Sequence, residues 1–136
     1  MPVSTEDYLA IADLLGRYCW RLDAGDGDGW ADLWTDDGFI AGVGPDSVSG
    51  RATLREVPIS IMQRCGGAEV HRTANLCCDY GETRDTINAS FYNDVSTWLP
   101  SGPGKPLLFA RCEMTVSRAA TGWRITRITF DPLPGE

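Results

Sequence analysis

A chain of 136 residues, 43% hydrophobic and 23% charged, has the composition of one globular domain and points away from a disordered or fibrous protein. Its formal net charge of −7, with 12 scattered Lys and Arg residues, offers no basic surface for a phosphate backbone, so no nucleic-acid partner is expected. No apolar run approaches the roughly 18 residues that span a bilayer, and the first residues lack a secretory pattern, so the expectation is a soluble cytoplasmic protein without a membrane partner.

In chain order, Ser4 or Thr5 can cap a helix whose first turn carries Glu6 and Asp7, the charge that a helix N-terminus favours. Tyr8, Ile11, Ala12, Leu15, Cys19 and Leu22 recur at three- and four-residue intervals, which predicts an amphipathic helix ending near Asp23. Glycines at positions 25, 27 and 29 stop it. A short second helix is predicted to carry Trp30, Leu33 and Trp34 and to end before Asp36, Asp37 and Gly38. Residues 38–50 read as short strands around a Gly-Pro turn. A third helix is predicted from about Ala52 to Arg64, kinked or delayed by Pro58. The segments 69–80, 85–99, 106–118 and 122–130 are rich in β-branched and aromatic residues, with turn residues between them. Their connections are too short for crossover helices, so four antiparallel strands are predicted. Helices first and a meander last define an α+β fold, with the helices on one face of a curved sheet and a pocket between the layers.

The stretch "RLDAGDGDGW", residues 21–30, raises the question of calcium. Aligning Asp26, Asp28 and Gly29 with the third, fifth and sixth positions of an EF-hand loop puts Ala24 first and Thr35 last. Neither is a ligand, so no metal is expected. Asp26 and Asp28 suit a turn, where aspartate bonds the local backbone. Asp23 differs: counting back by three and four reaches Cys19, Leu15, Ala12 and Tyr8, the apolar stripe, so it should leave the helix toward the core.

His71 is the only histidine. Strand alternation puts it with Thr73, Asn75 and Cys77 on one face, and Val70, Arg72, Ala74, Leu76 and Cys78 on the other. A carboxylate accepting from one ring nitrogen would orient the imidazole and leave the other nitrogen as a general base. Paired with Asp23, and with no serine or cysteine nucleophile pattern nearby, such a dyad suits proton abstraction better than acyl transfer. The cysteines, at 19, 65, 77, 78 and 112, lack CxxC spacing and read as free thiols. Developing negative charge needs a donor. Arg111 and Arg127 on late strands, Asn75, Asn88 and Tyr18 are the candidates, while Trp30, Trp34, Phe39, Phe91 and Trp98 could pack the core or line an apolar pocket. "GPGKP" at 102–106 lacks the spacing and following helix of a phosphate loop.

Three stretches carry a resemblance: the helix ending in Asp23, "WTDDG" at 34–38 and "HRTANL" at 71–76, together with a segment after "GRATL" and the closing "GWRITRITF". Across nearly its whole length the chain resembles the SnoaL-like branch of the nuclear transport factor 2-like superfamily, and within it is most similar to the hexachlorocyclohexane dehydrochlorinases and scytalone dehydratases. The resemblance implies a single domain over 1–136, a cone-shaped α+β fold with a deep pocket, and a catalytic Asp23–His71 dyad. It also implies a homodimer or homotrimer. The pattern departs from scytalone dehydratase, which has active-site tyrosines and a second histidine, because Leu22 precedes Asp23 and no second histidine exists. Scytalone itself is therefore not the expected substrate. The expectation is a cofactor-independent lyase or isomerase acting on a small hydrophobic, cyclic metabolite. Tyr18, Trp34, Asn75, Asn88, Arg111 and Arg127 would contact the substrate. The alternatives are a cyclase-like or ketosteroid-isomerase-like enzyme with a carboxylate base, or a non-catalytic ligand-binding module.

Overall fold

A computed structural model describes residues 1–44, 46–100 and 102–133. Helix α1, Thr5–Asp23, starts where Ser4 accepts the Asp7 N–H at 3.1 Å. It buries Ile11, Leu14, Leu15, Tyr18, Cys19 and Leu22, so the apolar stripe is centred a little differently from expectation. Tyr8 lies at its edge, exposed, with its hydroxyl donating to the Leu76 carbonyl. Gly25, at φ +71°, turns the chain, and a Cβ there would press on Met62. Helix α2, Gly27–Ala31, follows at once, with Asp26 as its cap accepting the Gly29 N–H at 2.9 Å. Asp28 pairs with Arg55, in the helix that follows, at 2.6 Å. The acidic loop thus contributes a helix cap and a pin between helices.

One expectation for this region is corrected. Trp34 is not helical: α2 ends at Ala31, and Trp34 opens strand β1, Trp34–Ala41, which contains the Asp36-Asp37-Gly38 stretch. The tertiary environment decides this, since Trp34 pairs with Ile125 and packs its ring 5.3 Å from that of Trp30. A two-residue strand β2, Val48–Ser49, completes the 38–50 region. Helix α3, Arg51–Cys65, runs through Pro58 and ends at Gly66 in the left-handed conformation. Leu54 and Pro58 are its buried residues, and this packing carries the helix through the proline that was expected to kink or delay it.

Strands β3 (Glu69–Tyr80), β4 (Thr86–Thr97), β5 (Lys105–Ala119) and β6 (Gly122–Pro132) form the antiparallel meander. Beyond it, β1 pairs parallel to β6, extending a curved, unclosed sheet in the order β2-β1-β6-β5-β4-β3. One layer of helices and one sheet share a single buried cluster, in which Tyr18, Trp30 and Trp34 form an aromatic knot. No helix among the described residues is long and apolar enough to cross a membrane.

Strict alternation fails in β3. Asn75 adopts φ +58°, and the register with β4 shifts between Ala74 and Cys77. An inserted residue at such a bulge reverses which parity faces inward. Before it, Glu69, His71 and Thr73 face the helices; after it, Leu76, Cys78 and Tyr80 do. Asn75 and Cys77 therefore do not share the face of His71, contrary to the alternation, and both are exposed.

Candidate functional site

Helix α1 ends against the start of β3, and Asp23 meets His71 there. The Asp23 carboxylate accepts the backbone N–H of His71 at 3.1 and 3.2 Å, and its Oδ1 lies 2.7 Å from the ring Nδ1. Three contacts with one residue fix both partners, because a carboxylate has only about four lone-pair sites in total. The His71 side chain is 8% exposed and that of Asp23 is 23% exposed, so the pair lies at the boundary between interior and solvent. An Nδ1–H donor toward Asp23 leaves Nε2 as the acceptor. Glu69 Oε2 stands 3.8 Å from Nε2, beyond hydrogen-bonding distance, and Glu69 is tied to Arg64 at 3.3 Å. A carboxylate only accepts, so Glu69 leaves the Nε2 lone pair free, and a proton gained there would lie between two carboxylates.

His71 faces a cavity of about 140 Å³ between the sheet and the helices. Tyr18, Leu22 and Trp30 from the helical layer, and Ile40, Val95, Leu108 and Phe130 from the sheet, make it predominantly apolar. On its other side, Asp23, His71 and Glu69 border a separate depression with Cys19, Trp20 and Arg72. The imidazole thus stands between an apolar cavity and a charged rim. Burial pushes the Tyr18 phenol well above the ordinary tyrosine range, so Tyr18 is a neutral cavity wall. Burial likewise pushes the Cys19 thiol up to about 12, with the Asp23 charge adding to the effect and a hydrogen bond with Thr73 opposing it. Cys78 and Cys112 are pushed up to about 11 and about 12, again chiefly by burial. All five cysteines are free, and these three buried ones stay protonated near neutral pH, which disfavours thiolate chemistry.

Of the expected substrate contacts, only Tyr18 lines the cavity with His71. Trp34 is fully buried behind it, packed on Trp30 and Tyr18. Asn88, Arg111 and Arg127 alternate with the buried residues of their strands and face the outer side of the sheet. Asn88 accepts from Thr115 there, and Arg127 lies over the Phe39 ring at 5.2 Å. Asn75 and Arg111 share a shallow outer depression with Ser90 and Glu113. No contact with a ligand in the His71 cavity is assigned to these four residues.

One polar cavity residue was not among the expected site residues. Asn93 is 2% exposed, lines the cavity, and its Oδ1 has no hydrogen-bond partner among the described residues. It pairs with Thr73 across β3 and β4, while His71 pairs with Val95, so Asn93 and His71 are diagonal neighbours on the inner face. The available signal was parity: Asn93 and Asn88 are five residues apart on one strand, so only one of them can face inward.

This geometry sits in a familiar fold. The profile of the SnoaL-like domain matches residues 3–129, and the chain belongs to that family. Among solved structures, it is similar to a nuclear transport factor 2-like protein with a cystatin-like fold from Novosphingobium aromaticivorans. The two are 26% identical over 96% of this chain and 84% of the other, with a TM-score of 0.83. A candidate aromatic ring hydroxylase from the same organism is 27% identical over 98% and 93% of the two chains, with a TM-score of 0.77. A candidate scytalone dehydratase, also from N. aromaticivorans, shares the fold at 18% identity over 96% and 89%, with a TM-score of 0.77. No curated protein matches the chain.

Proposed function

We propose that this protein is a cofactor-independent lyase or isomerase that removes a carbon-bound proton from a small hydrophobic, cyclic substrate. His71 Nε2 is the general base. Asp23 holds the ring through Nδ1 and offsets the charge of the imidazolium that forms. The observation that carries this reading is the triple contact of Asp23 with His71, at the wall of an apolar cavity. The apolar lining on the substrate side lowers the local dielectric and strengthens the electrostatic support that Asp23 gives the charged ring. A candidate dehydratase among the structural neighbours agrees with elimination chemistry on this fold.

A carboxylate acting directly as base is the weaker reading. Asp23 spends its acceptor capacity on His71, and Glu69 is engaged by Arg64. The test follows carbon-bound protons of hydroxylated cyclohexanones and cyclohexenones in deuterium oxide by NMR. The wild-type protein is expected to catalyse exchange or elimination, and His71→Gln to lose it while keeping the same thermal unfolding curve. Undiminished exchange by the glutamine variant would remove His71 from the mechanism.

A further inference from the structure

A base that takes a proton from carbon must lose it again before the next turnover, and in this site that proton sits on His71 Nε2. Asp23 does not take it, because its contacts are with Nδ1 and the backbone N–H. Besides His71, the only titratable group lining the cavity is Tyr18, a neutral phenol raised well above its ordinary range. Glu69 is within reach: its Oε2 stands 3.8 Å from Nε2. It is 7% exposed, the only buried carboxylate among the described residues. Such a group is costly unless it is well paired, and its pairing here is loose. Both oxygens face one Arg64 nitrogen at 3.3 and 3.4 Å, whereas Asp28–Arg55 and Asp13–Arg17 close to 2.6 and 2.7 Å. A carboxylate has about four acceptor sites, so Glu69 retains capacity for a further donor. Nε2 becomes that donor once it is protonated, and a movement of roughly 1 Å brings the two groups to hydrogen-bonding distance. Glu69 and His71 also border the depression that includes Trp20, which is 80% exposed, so a route to water begins at Glu69.

We propose that Glu69 is the proton relay of this site, receiving from Nε2 the proton that His71 has taken from carbon and passing it to water on the Trp20 side. The inference rests on the reading of His71 as the base, and it adds a residue to that same site. In the first step the C–H bond breaks and Nε2–H forms. The proton then passes to Glu69 Oε2, which becomes a neutral carboxylic acid while Nε2 recovers its lone pair. Release of the proton to water restores the carboxylate. Glu69 acts through His71 and is a positioning residue, not the base.

Protein labelled with ¹⁵N-histidine, held in acid with both ring nitrogens protonated, tests the relay without a substrate. Exchange of the Nε2 proton with water, read by saturation transfer, is expected to be about tenfold slower in Glu69→Gln than in the wild type. Exchange of the Nδ1 proton, which Asp23 holds, is expected to stay the same. The glutamine amide keeps an acceptor for Arg64, so a merely structural role for Glu69 would leave Nε2 exchange unaltered. Glu69→Asp, which draws the carboxylate back by one methylene, carries the same comparison if the glutamine variant does not fold. Equal or faster Nε2 exchange in the variants would overturn the relay and leave His71 as the base. Undiminished substrate exchange by His71→Gln would overturn the base and the relay together, so the two failures are distinguishable.

Discussion

At the scale of the residue, the function rests on where one carboxylate and one imidazole meet. Asp23 is the last residue of α1 and His71 is the third of β3, and the contact between the two elements seats His71 Nδ1 on Asp23 at 2.7 Å. Asp23→Asn would leave an amide able to accept from Nδ1 but without the charge that stabilises an imidazolium. We expect it to lower kcat by about 10²–10⁴-fold with little change in KM, as steady-state kinetics on a turned-over substrate would show. Thiol labelling offers a second check at this scale. Iodoacetamide should modify exposed Cys77 in the native protein, and Cys19, Cys78 and Cys112 only after unfolding, as peptide mass analysis would reveal. The candidate pair was legible in the sequence because Asp23 continues an apolar helical stripe and His71 has no competitor. Asn93 was not, because its inward face depends on strand register, which local pattern does not supply.

At the scale of the element, short-range devices set which residues face the cavity. The bulge at Asn75 lets His71 and Thr73 face inward in one half of β3 and Cys78 and Tyr80 in the other. Asparagine tolerates φ +58°, whereas a β-branched residue does not. Asn75→Val should therefore cost about 1–3 kcal/mol, read as a lower midpoint in urea denaturation, and shift the amide resonances of β3 beyond the bulge. Asp26→Ala removes the cap of α2 and should cost about 1 kcal/mol in the same assay. The helices and the meander were readable from periodicity and from the clustering of β-branched residues. The bulge was not, since the positive φ of a single asparagine leaves no periodic trace. Trp34 was misassigned for the complementary reason: its strand is imposed by a parallel partner, β6, some 90 residues later in the chain.

At the scale of the whole molecule, burial of ionisable groups in one core makes stability depend on pH at the alkaline end. Cys19 and Cys112 are raised from 9.0 to about 12, and Cys78 to about 11. A group whose folded value lies above its unfolded one contributes stability that is complete below the unfolded value and is lost as pH rises through the folded one. Thermal unfolding should therefore show a falling Tm between about pH 9 and 12, with Cys19→Ser, Cys78→Ala and Cys112→Ala reducing the slope. On the acid side, Asp7 is held below its ordinary value by the Tyr80 hydroxyl and then by Arg118. That contribution is present above pH 3.8 and disappears as pH falls below it. These effects belong to the scaffold, and the central claim concerns the one imidazole that the scaffold orients. Because the chain has a single histidine, a long-range ¹H–¹⁵N spectrum of histidine-labelled protein reads His71 alone. The account predicts an Nδ1–H tautomer with a strongly deshielded proton shared with Asp23, an unprotonated Nε2, and loss of that signal in Asp23→Asn. An Nε2–H tautomer, or a spectrum that Asp23→Asn leaves unchanged, would contradict it.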